Sequence, residues 1–298
     1  MSERYFTIVN PAAGGGRCGK LAPAALDRLR AAGLAIEVRE TRAPGEATIL
    51  AHDAYADGCR NFIAVGGDGT GFEIVNGLFP AAATEGRAAL GFLPLGTGNS
   101  FIREFTERGA DYAVEAILAR RRRPCDVIRL NHADESLFYI NTLNMGFAAD
   151  VATLTNRRLK FLGELGYLVG VLVSLARLRR RPFPLRADGE SDQRRCLFVA
   201  FSNSKYTGGK MMIAPDATID SGTIEYVHWG PIGRLGLIRN LPKLFDGSHI
   251  KHTMASRRTA ARIEFELNQP VDVVVDGEVL TLEVESLEVL PGALDVMV

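Results

Sequence analysis

The stretch Asn61-Phe-Ile-Ala-Val-Gly-Gly-Asp-Gly-Thr70 decides how this chain is read. A short apolar run that ends in glycines is a buried strand, and the glycines open a tight turn into a helix beginning near Thr70. The same grammar recurs on both sides. Tyr5 to Val9 is strand-like and runs into Asn10-Pro-Ala-Ala-Gly-Gly-Gly16, and Leu90 to Leu95 runs into Gly96-Thr-Gly-Asn-Ser100. Leu21 to Ala32 has apolar residues at helical spacing, Ala35 to Thr41 reads as a strand, and Ala47 to Tyr55 reads as a helix. This alternation predicts an α/β domain with a mainly parallel sheet covered by helices on both faces. The three glycine turns then fall at carboxyl ends of strands, where such sheets place ligands.

The pattern changes after Arg120 to Arg123 and Pro124, where β-rich segments take over: Asp126 to Leu130, Leu197 to Ser202 and Thr223 to His228. A helical interlude, roughly Ala152 to Arg179, interrupts them. Three alternating runs close the chain at Ala261 to Leu267, Val271 to Val275 and Leu280 to Val289. The expectation is two domains, 1–124 and 125–298, the second a mainly antiparallel β-sandwich whose last strands are able to pack back on the first domain. With no Gly/Ser linker in the sequence, the ligand is expected in the cleft between them.

Totals exclude several classes. Lys+Arg and Asp+Glu balance at 35 each in 298 residues, so no overall field draws the chain to nucleic acid, and no nucleic-acid-binding motif accompanies its basic runs. Cys18, Cys59, Cys125 and Cys196 are scattered and form no CxxC pair, which fits reduced thiols in a cytoplasm rather than zinc or disulfides. The five histidines show no metal-ligand spacing. The opening residues leave no room for a signal peptide. The longest apolar stretch, Leu165 to Leu175, falls short of the ~20 residues a membrane span needs.

Glycines in such turns let the backbone approach a phosphate closely and aim N–H groups at it, and the following helix N-terminus adds positive potential. Gly14 to Lys20 matches the GxxxxGK spacing of a P-loop, but Leu21 stands where that motif needs a hydroxyl for Mg²⁺. None of the turns completes GxGxxG, the dinucleotide fingerprint. Asp68 lies between Gly67 and Gly69, free either to face a metal-bound phosphate or to sit in a solvated turn. Asp276-Gly277-Glu278 reads locally as a hairpin turn between two strands.

At Gly66-Gly-Asp-Gly-Thr70 the sequence resembles the catalytic domain shared by diacylglycerol kinases, sphingosine kinases and, more distantly, NAD kinases. Asn10-Pro11, Val75-Asn-Gly-Leu78, Pro94-Leu-Gly-Thr-Gly-Asn99, Gly208-Gly209, Ile213-Ala-Pro215 and Asp276-Gly-Glu278 follow in the order of the lipid-kinase branch. The resemblance spans almost the whole chain and implies an ATP-dependent, Mg²⁺-using kinase acting on a lipid hydroxyl. It implies that Asn10, Gly14, Thr41, Gly66, Gly67, Asp68, Gly69, Thr70 and Thr97 line the ATP site, with Asp68 near the phosphates. Asp276 and Glu278 would supply the acid–base chemistry, Glu278 first as proton acceptor with the two able to exchange roles. Asp126 and the pair Asp220 and Ser221 correspond to family metal positions.

Two departures stand out. Gly71-Phe72-Glu73 replaces the commoner Leu-Asn-Glu, adding an aromatic at the mouth of a helix, and Ser221 stands where bacterial members commonly carry an aspartate. Leu162-Gly-Glu-Leu-Gly-Tyr167 resembles the family's helix near the lipid pocket. With Leu168 to Leu175 and Arg177, Arg179, Arg180 and Arg181 after it, it is a candidate for peripheral contact with a membrane's inner face. A homodimer is compatible with the resemblance. An NAD kinase-like enzyme, or a catalytically silent binder of lipid or nucleotide, is the alternative. The lipid itself is not legible: diacylglycerol and a sphingoid base both offer a hydroxyl on an apolar tail.

Overall fold

The computed structural model describes residues 4–154 and 173–298. Two compact units are present. One comprises the residues up to Val127 with Gly208–Lys210 and Leu290–Val298; the other comprises Ile128–Thr207 and Met211–Val289.

The first unit contains β1 (Arg4–Val9), α1 (Arg17–Ala31), β2 (Ala35–Glu40), α2 (Glu46–Ala56), β3 (Asn61–Gly66), α3 (Asp68–Leu78), the single turn α4 (Ala81–Thr84), β4 (Ala88–Pro94) and α5 (Ala110–Ala119). The strands lie side by side in the order β2-β1-β3-β4, all parallel. Every residue of β3 is buried, which is why its sequence is an unbroken apolar run and not an alternating one. On one face, Cys18, Leu26 and Leu29 of α1 and Val114 and Ile117 of α5 pack with Tyr5, Val9, Ile63 and Leu93 of the sheet. α2 and α3 pack against each other, and Gly77 sets how close they come: a Cβ there would stand 2.3 Å from the Thr48 carbonyl oxygen.

The second unit is built from β5 (Arg122–His132, which begins in the first unit), β6 (Ser136–Tyr139), β7 (Thr142–Gly146), α6 (Phe147–Leu154), β8 (Arg181–Pro182), β9 (Leu185–Ala187), β10 (Glu190–Asp192) and β11 (Arg195–Cys196). It continues with β12 (Phe198–Ser202), β13 (Tyr206–Thr207), β14 (Met211–Met212), β15 (Ile224–Trp229), a helix Arg234–Asn240, β16 (Ala255–Ala260), β17 (Arg262–Phe265), β18 (Val271–Val275), β19 (Glu278–Leu282) and β20 (Val284–Met297, which ends in the first unit). A six-stranded antiparallel sheet runs β16-β15-β12-β7-β18-β19. The opposing sheet carries β10-β9-β17-β20, with β5 paired to both β20 and β6. Phe201 of β12 meets Phe265 of β17 edge-on at 5.3 Å, a core contact of the sandwich.

The expected α/β-plus-sandwich architecture is therefore the observed one. Some boundaries differ. The run Leu280 to Val289 is two strands in two sheets, broken at Glu283, because alternation is the same whether a strand continues or changes layers. The helical interlude begins at Phe147, earlier than expected, and its Leu162 to Tyr167 core lies outside the described residues. Leu294–Met297 lies parallel to Ala88–Gly91 as a fifth strand of the first unit. Arg122 donates to the Asn61 side chain at 2.8 Å, and the Arg123 guanidinium lies 5.7 Å from the Phe105 ring centre, so the basic run is tied to the first unit rather than solvated throughout. All four cysteines are buried and none is in a disulfide.

One polar cluster in the second unit was not legible in the sequence. His228 of β15 and Asp192 of β10, both almost fully buried, lie 3.5 Å apart. Arg194 holds Asp192 through Nε at 2.8 Å and Ser256 of β16 through Nη1 at 2.6 Å, so the cluster ties one sheet to the other. Burial, only partly offset by Asp192, pulls His228 down from its ordinary 6.5 to about 4. Burial pushes Asp192 up, but the Arg194 hydrogen bonds and His228 outweigh it and hold the carboxyl at about 2. As pH falls from 6.5 towards 4, the unfolded chain gains a proton that folded His228 refuses, so stability falls across that window; the Asp192 contribution is lost only lower, as pH approaches 2. The His228 term is about 3 kcal/mol by pH 4. Thermal unfolding followed between pH 7 and 4.5 is expected to show a shallower loss of Tm for His228→Gln than for the wild type; parallel slopes would show that His228 does not titrate in this way.

Candidate active site

The three glycine turns meet in the first unit. Asn10 N–H donates to the Val65 carbonyl at 2.9 Å and Thr41 N–H to Val9 at 2.9 Å, which sets both residues at the carboxyl ends of β1 and β2. Gly96 N–H donates to the Gly66 carbonyl at 2.7 Å. The approach of these two turns is so close that a Cβ on Gly96 would stand 2.5 Å from the Gly67 Cα, and one on Gly66 would stand 2.3 Å from the Thr70 hydroxyl. Gly14 has φ +64°, a conformation open to glycine, and a Cβ there would also stand 3.0 Å from the Leu95 carbonyl oxygen. Arg17, which the sequence reading passed over, donates to the Gly96 carbonyl at 2.6 Å.

Asp68 opens α3 and reaches the third turn. Its Oδ2 accepts Ser100 N–H at 2.8 Å and its Oδ1 accepts Phe101 N–H at 3.2 Å. Burial raises its carboxyl above the ordinary range, against the pull of these donors and of the Ser100 hydroxyl. Ser100 in turn accepts Gly209 N–H on Oγ at 2.8 Å, bringing the Gly208-Gly209 segment into the same unit. α3 has no side-chain cap at its N-terminus, and Gly67 before it is extended. An uncapped helix start ringed by glycine backbone fits an anionic phosphate: Thr70 and Gly71 N–H turn back to the Gly67 carbonyl at 3.0 and 3.3 Å, and the Asp68 and Gly69 N–H groups precede the first intrahelical bond. Thr97 is exposed beside it, whereas Thr70 is buried against Gly66. The Asn99 amide nitrogen holds the Pro94 and Gly96 carbonyls at 3.2 and 2.9 Å, and its Oδ1 is buried with no hydrogen-bond partner.

The departure at Gly71-Phe72 serves packing. Phe72 is 8% exposed and belongs to the core, not to the helix mouth. Gly71 is fixed by Phe92, whose ring would lie 2.9 Å from a Cβ. Glu73 accepts Gly45 N–H at 3.0 Å and Ala47 N–H at 3.1 Å, capping α2 from α3.

In the second unit, Val275 pairs with Glu278, so Asp276-Gly277 is a two-residue hairpin turn, with φ +46° and +91° as a type I′ turn requires. The Asp276 side chain is nevertheless 3% exposed. Its Oδ1 accepts Asn141 N–H at 3.1 Å and Thr142 N–H at 2.9 Å, and its Oδ2 accepts Ile140 N–H at 3.1 Å. Burial, then the Asp276 charge, pushes the Tyr139 phenol well above its ordinary value. Glu278 is exposed at the start of β19. Around Asp276 stand buried polar groups the sequence reading missed: Ser204 donates to the Asn141 side chain, and Asn203 N–H donates to the Asn141 carbonyl at 2.8 Å. Their signal was the clustering of Asn and Ser inside otherwise apolar strand runs, at 141–144 and 202–204.

The remaining expected metal positions are not brought together. Asp126 is 2% exposed and accepts Gly292 N–H at 2.7 Å, fastening β5 to β20 within the first unit. Asp220 and Ser221 are exposed, and the Ser221 hydroxyl bonds the Thr223 main chain at 3.0 and 3.2 Å. No group of three or more His, Cys, Asp or Glu side chains able to hold a metal ion occurs among the described residues.

Comparison with known proteins finds two family models in order along the chain. The diacylglycerol kinase catalytic domain matches residues 4–130, and the YegS C-terminal NAD kinase beta sandwich-like domain matches residues 141–298. A "Probable lipid kinase YegS-like" protein of Cronobacter sakazakii is 30% identical over 89% of this chain and 87% of its own. A diacylglycerol kinase of Staphylococcus carnosus is 28% identical over 93% of this chain and 89% of its own. In fold, the crystal structure of a diacylglycerol kinase from Bacillus anthracis str. Sterne gives a TM-score of 0.73 at 24% identity over 99% of this chain and 96% of that one. A second crystal structure from that organism gives 0.80 at 26% identity, over 99% of this chain and 95% of that one. With both of its domains matched in order, and the glycine turns and the Asp276 hairpin in place, the chain belongs to the diacylglycerol kinase and YegS-like family of lipid kinases.

Proposed function

We propose that the chain transfers the γ-phosphoryl group of ATP to the hydroxyl of a lipid alcohol of the diacylglycerol or sphingoid type. The observation that carries this reading is the uncapped N-terminus of α3, held open where the turns at Gly66, Gly96 and Gly14 converge. Phosphoryl transfer asks a protein mainly for positioning and charge stabilisation, and rigid glycine backbone supplies the first. Mg²⁺, when bound, would offset phosphate charge. Asp68 is the residue that fits it: a carboxylate has about four acceptor sites, and the Ser100 and Phe101 donors leave room for another partner. Asp126 and the Asp220–Ser221 turn fit a metal less well, since each is engaged or set apart as described.

The two carboxylates of the hairpin divide the labour. Asp276, buried and holding three N–H groups, is the positioning residue that fixes the turn. Glu278, exposed at its end, is the group open to take the proton of an attacking hydroxyl. No helix among the described residues is long and apolar enough to cross a membrane.

Label transfer from ATP to a panel of lipid alcohols in mixed micelles tests the reading. Label in one lipid is expected, and nucleotide binding with no lipid labelled would count against it. Glu278→Gln is expected to lower kcat by about 10²–10⁴-fold with Tm unchanged. Asp276→Asn is expected to lower kcat and also stability, by about 1–3 kcal/mol, because the amide is a weaker acceptor for the three main-chain N–H groups. If Glu278→Gln turns over at the wild-type rate, the proton acceptor lies elsewhere. Gly96→Ala, whose methyl group collides with Gly67, is expected to weaken ATP binding at least tenfold by calorimetry; wild-type affinity would mean that the close approach of the two turns does not shape the site.

A further inference from the structure

Six large apolar side chains are exposed among the described residues, and four of them fall within 235–254: Leu235 at 83%, Ile238 at 53%, Phe245 at 54% and Met254 at 42%. The helix Arg234–Asn240 explains the first two. It buries Leu237 and Asn240 inward, so Leu235 and Ile238, one turn apart, come out on the solvent side. A leucine more than four-fifths exposed beside a half-exposed isoleucine has no packing role within the unit. The next turn, Leu241–Leu244, buries Leu244 and ends on Phe245.

Beside Leu235 lies an open recess of about 620 Å³, lined by Arg180, Arg195, Arg234 and Leu178. The three guanidinium groups are held by main-chain carbonyls: Arg180 Nε on Ile232 at 3.2 Å, Arg195 Nη2 on Arg180 at 2.8 Å, and Arg234 on Leu175 and Ala176 at 3.1 and 2.7 Å. None of the three pairs with a carboxylate among the described residues, nor do exposed Arg239 and Lys243 on the same segment. The protein as a whole is neutral, so this is a local concentration of uncompensated positive charge. Fixed cations without counterions around projecting apolar tips match one chemistry: phosphate-bearing headgroups over acyl chains.

We infer that the 234–245 segment, with Arg180 and Arg195, is the face by which this chain docks on an anionic phospholipid bilayer. Leu235, Ile238 and Phe245 enter the interface, and the arginine recess receives headgroup phosphates. The inference rests on the lipid-kinase reading only for why a bilayer is visited; vesicle binding is measured without ATP, so the two fail separately.

The full chain is floated with vesicles of phosphatidylcholine alone or with phosphatidylglycerol added, at low and high salt. Binding is expected on the anionic vesicles, weakened by salt. Leu235→Ser/Ile238→Ser is expected to lose at least about tenfold in partitioning, and Arg234→Gln/Arg239→Gln about fivefold or more for each charge removed, with Tm and turnover of a short-chain, water-soluble diacylglycerol unchanged. Undiminished binding by the leucine–isoleucine variant, or equal binding to neutral vesicles, overturns the proposal. So does conversion of a dimer to a monomer in that variant with vesicle binding intact, which would make the face a contact between copies. If millimolar inorganic phosphate abolishes vesicle binding by both wild type and apolar variant alike, the recess is a free-phosphate site and the proposal is again overturned.

Discussion

Everything proposed for the first unit depends on the distance between two backbones. Gly66-Gly67 and Gly96 touch main chain to main chain, closer than any side chain would allow, and that contact brings Asp68 within reach of Ser100 and Phe101. Asp68 then holds the third turn, Ser100 holds Gly209, and Arg17 holds Gly96. Asp68, at the start of α3, gives its carboxylate to another segment rather than to the N–H groups of its own helix. The proposed phosphate site rests less on residues that bind phosphate than on residues that keep other acceptors away.

The second unit uses a carboxylate in a related way. Asp276 spends its acceptor capacity on residues 140–142, locking the hairpin against the β6–β7 connection and presenting the adjacent Glu278 to solvent. Read locally, Asp-Gly is a hairpin turn; read by resemblance, it is catalytic machinery. In the proposed function the two readings do not compete: the turn sets Glu278, and Asp276 acts as a positioning residue that does not touch the reacting atoms.

The parallel sheet was legible because β3 and its neighbours are buried on both faces and flanked by glycines, so composition and punctuation agree. Asp68, Asp276 and Glu278 stood out through the resemblance and not through spacing. What could not be read shares a cause: it depends on pairing between distant segments. The layer change at Glu283 leaves alternation untouched, Phe72 looks like a site residue until the core around it is known, and the Asp192–Arg194–His228 cluster joins strands far apart in sequence. The departure at Gly71 reads as a functional substitution in the sequence and as room for Phe92 in the fold.

The strand β20 has a consequence for how the chain is made. Its Leu294–Met297 end is the neighbour of β4 in the first unit's parallel sheet. During synthesis, β4 emerges early and waits with one edge unpaired until nearly all of the second unit has followed it out. Buried on its faces but bare along its edge, β4 is the kind of strand that recruits a wrong partner. The first unit is thus continuous in space but not in time, and its completion reports that the second unit has been made.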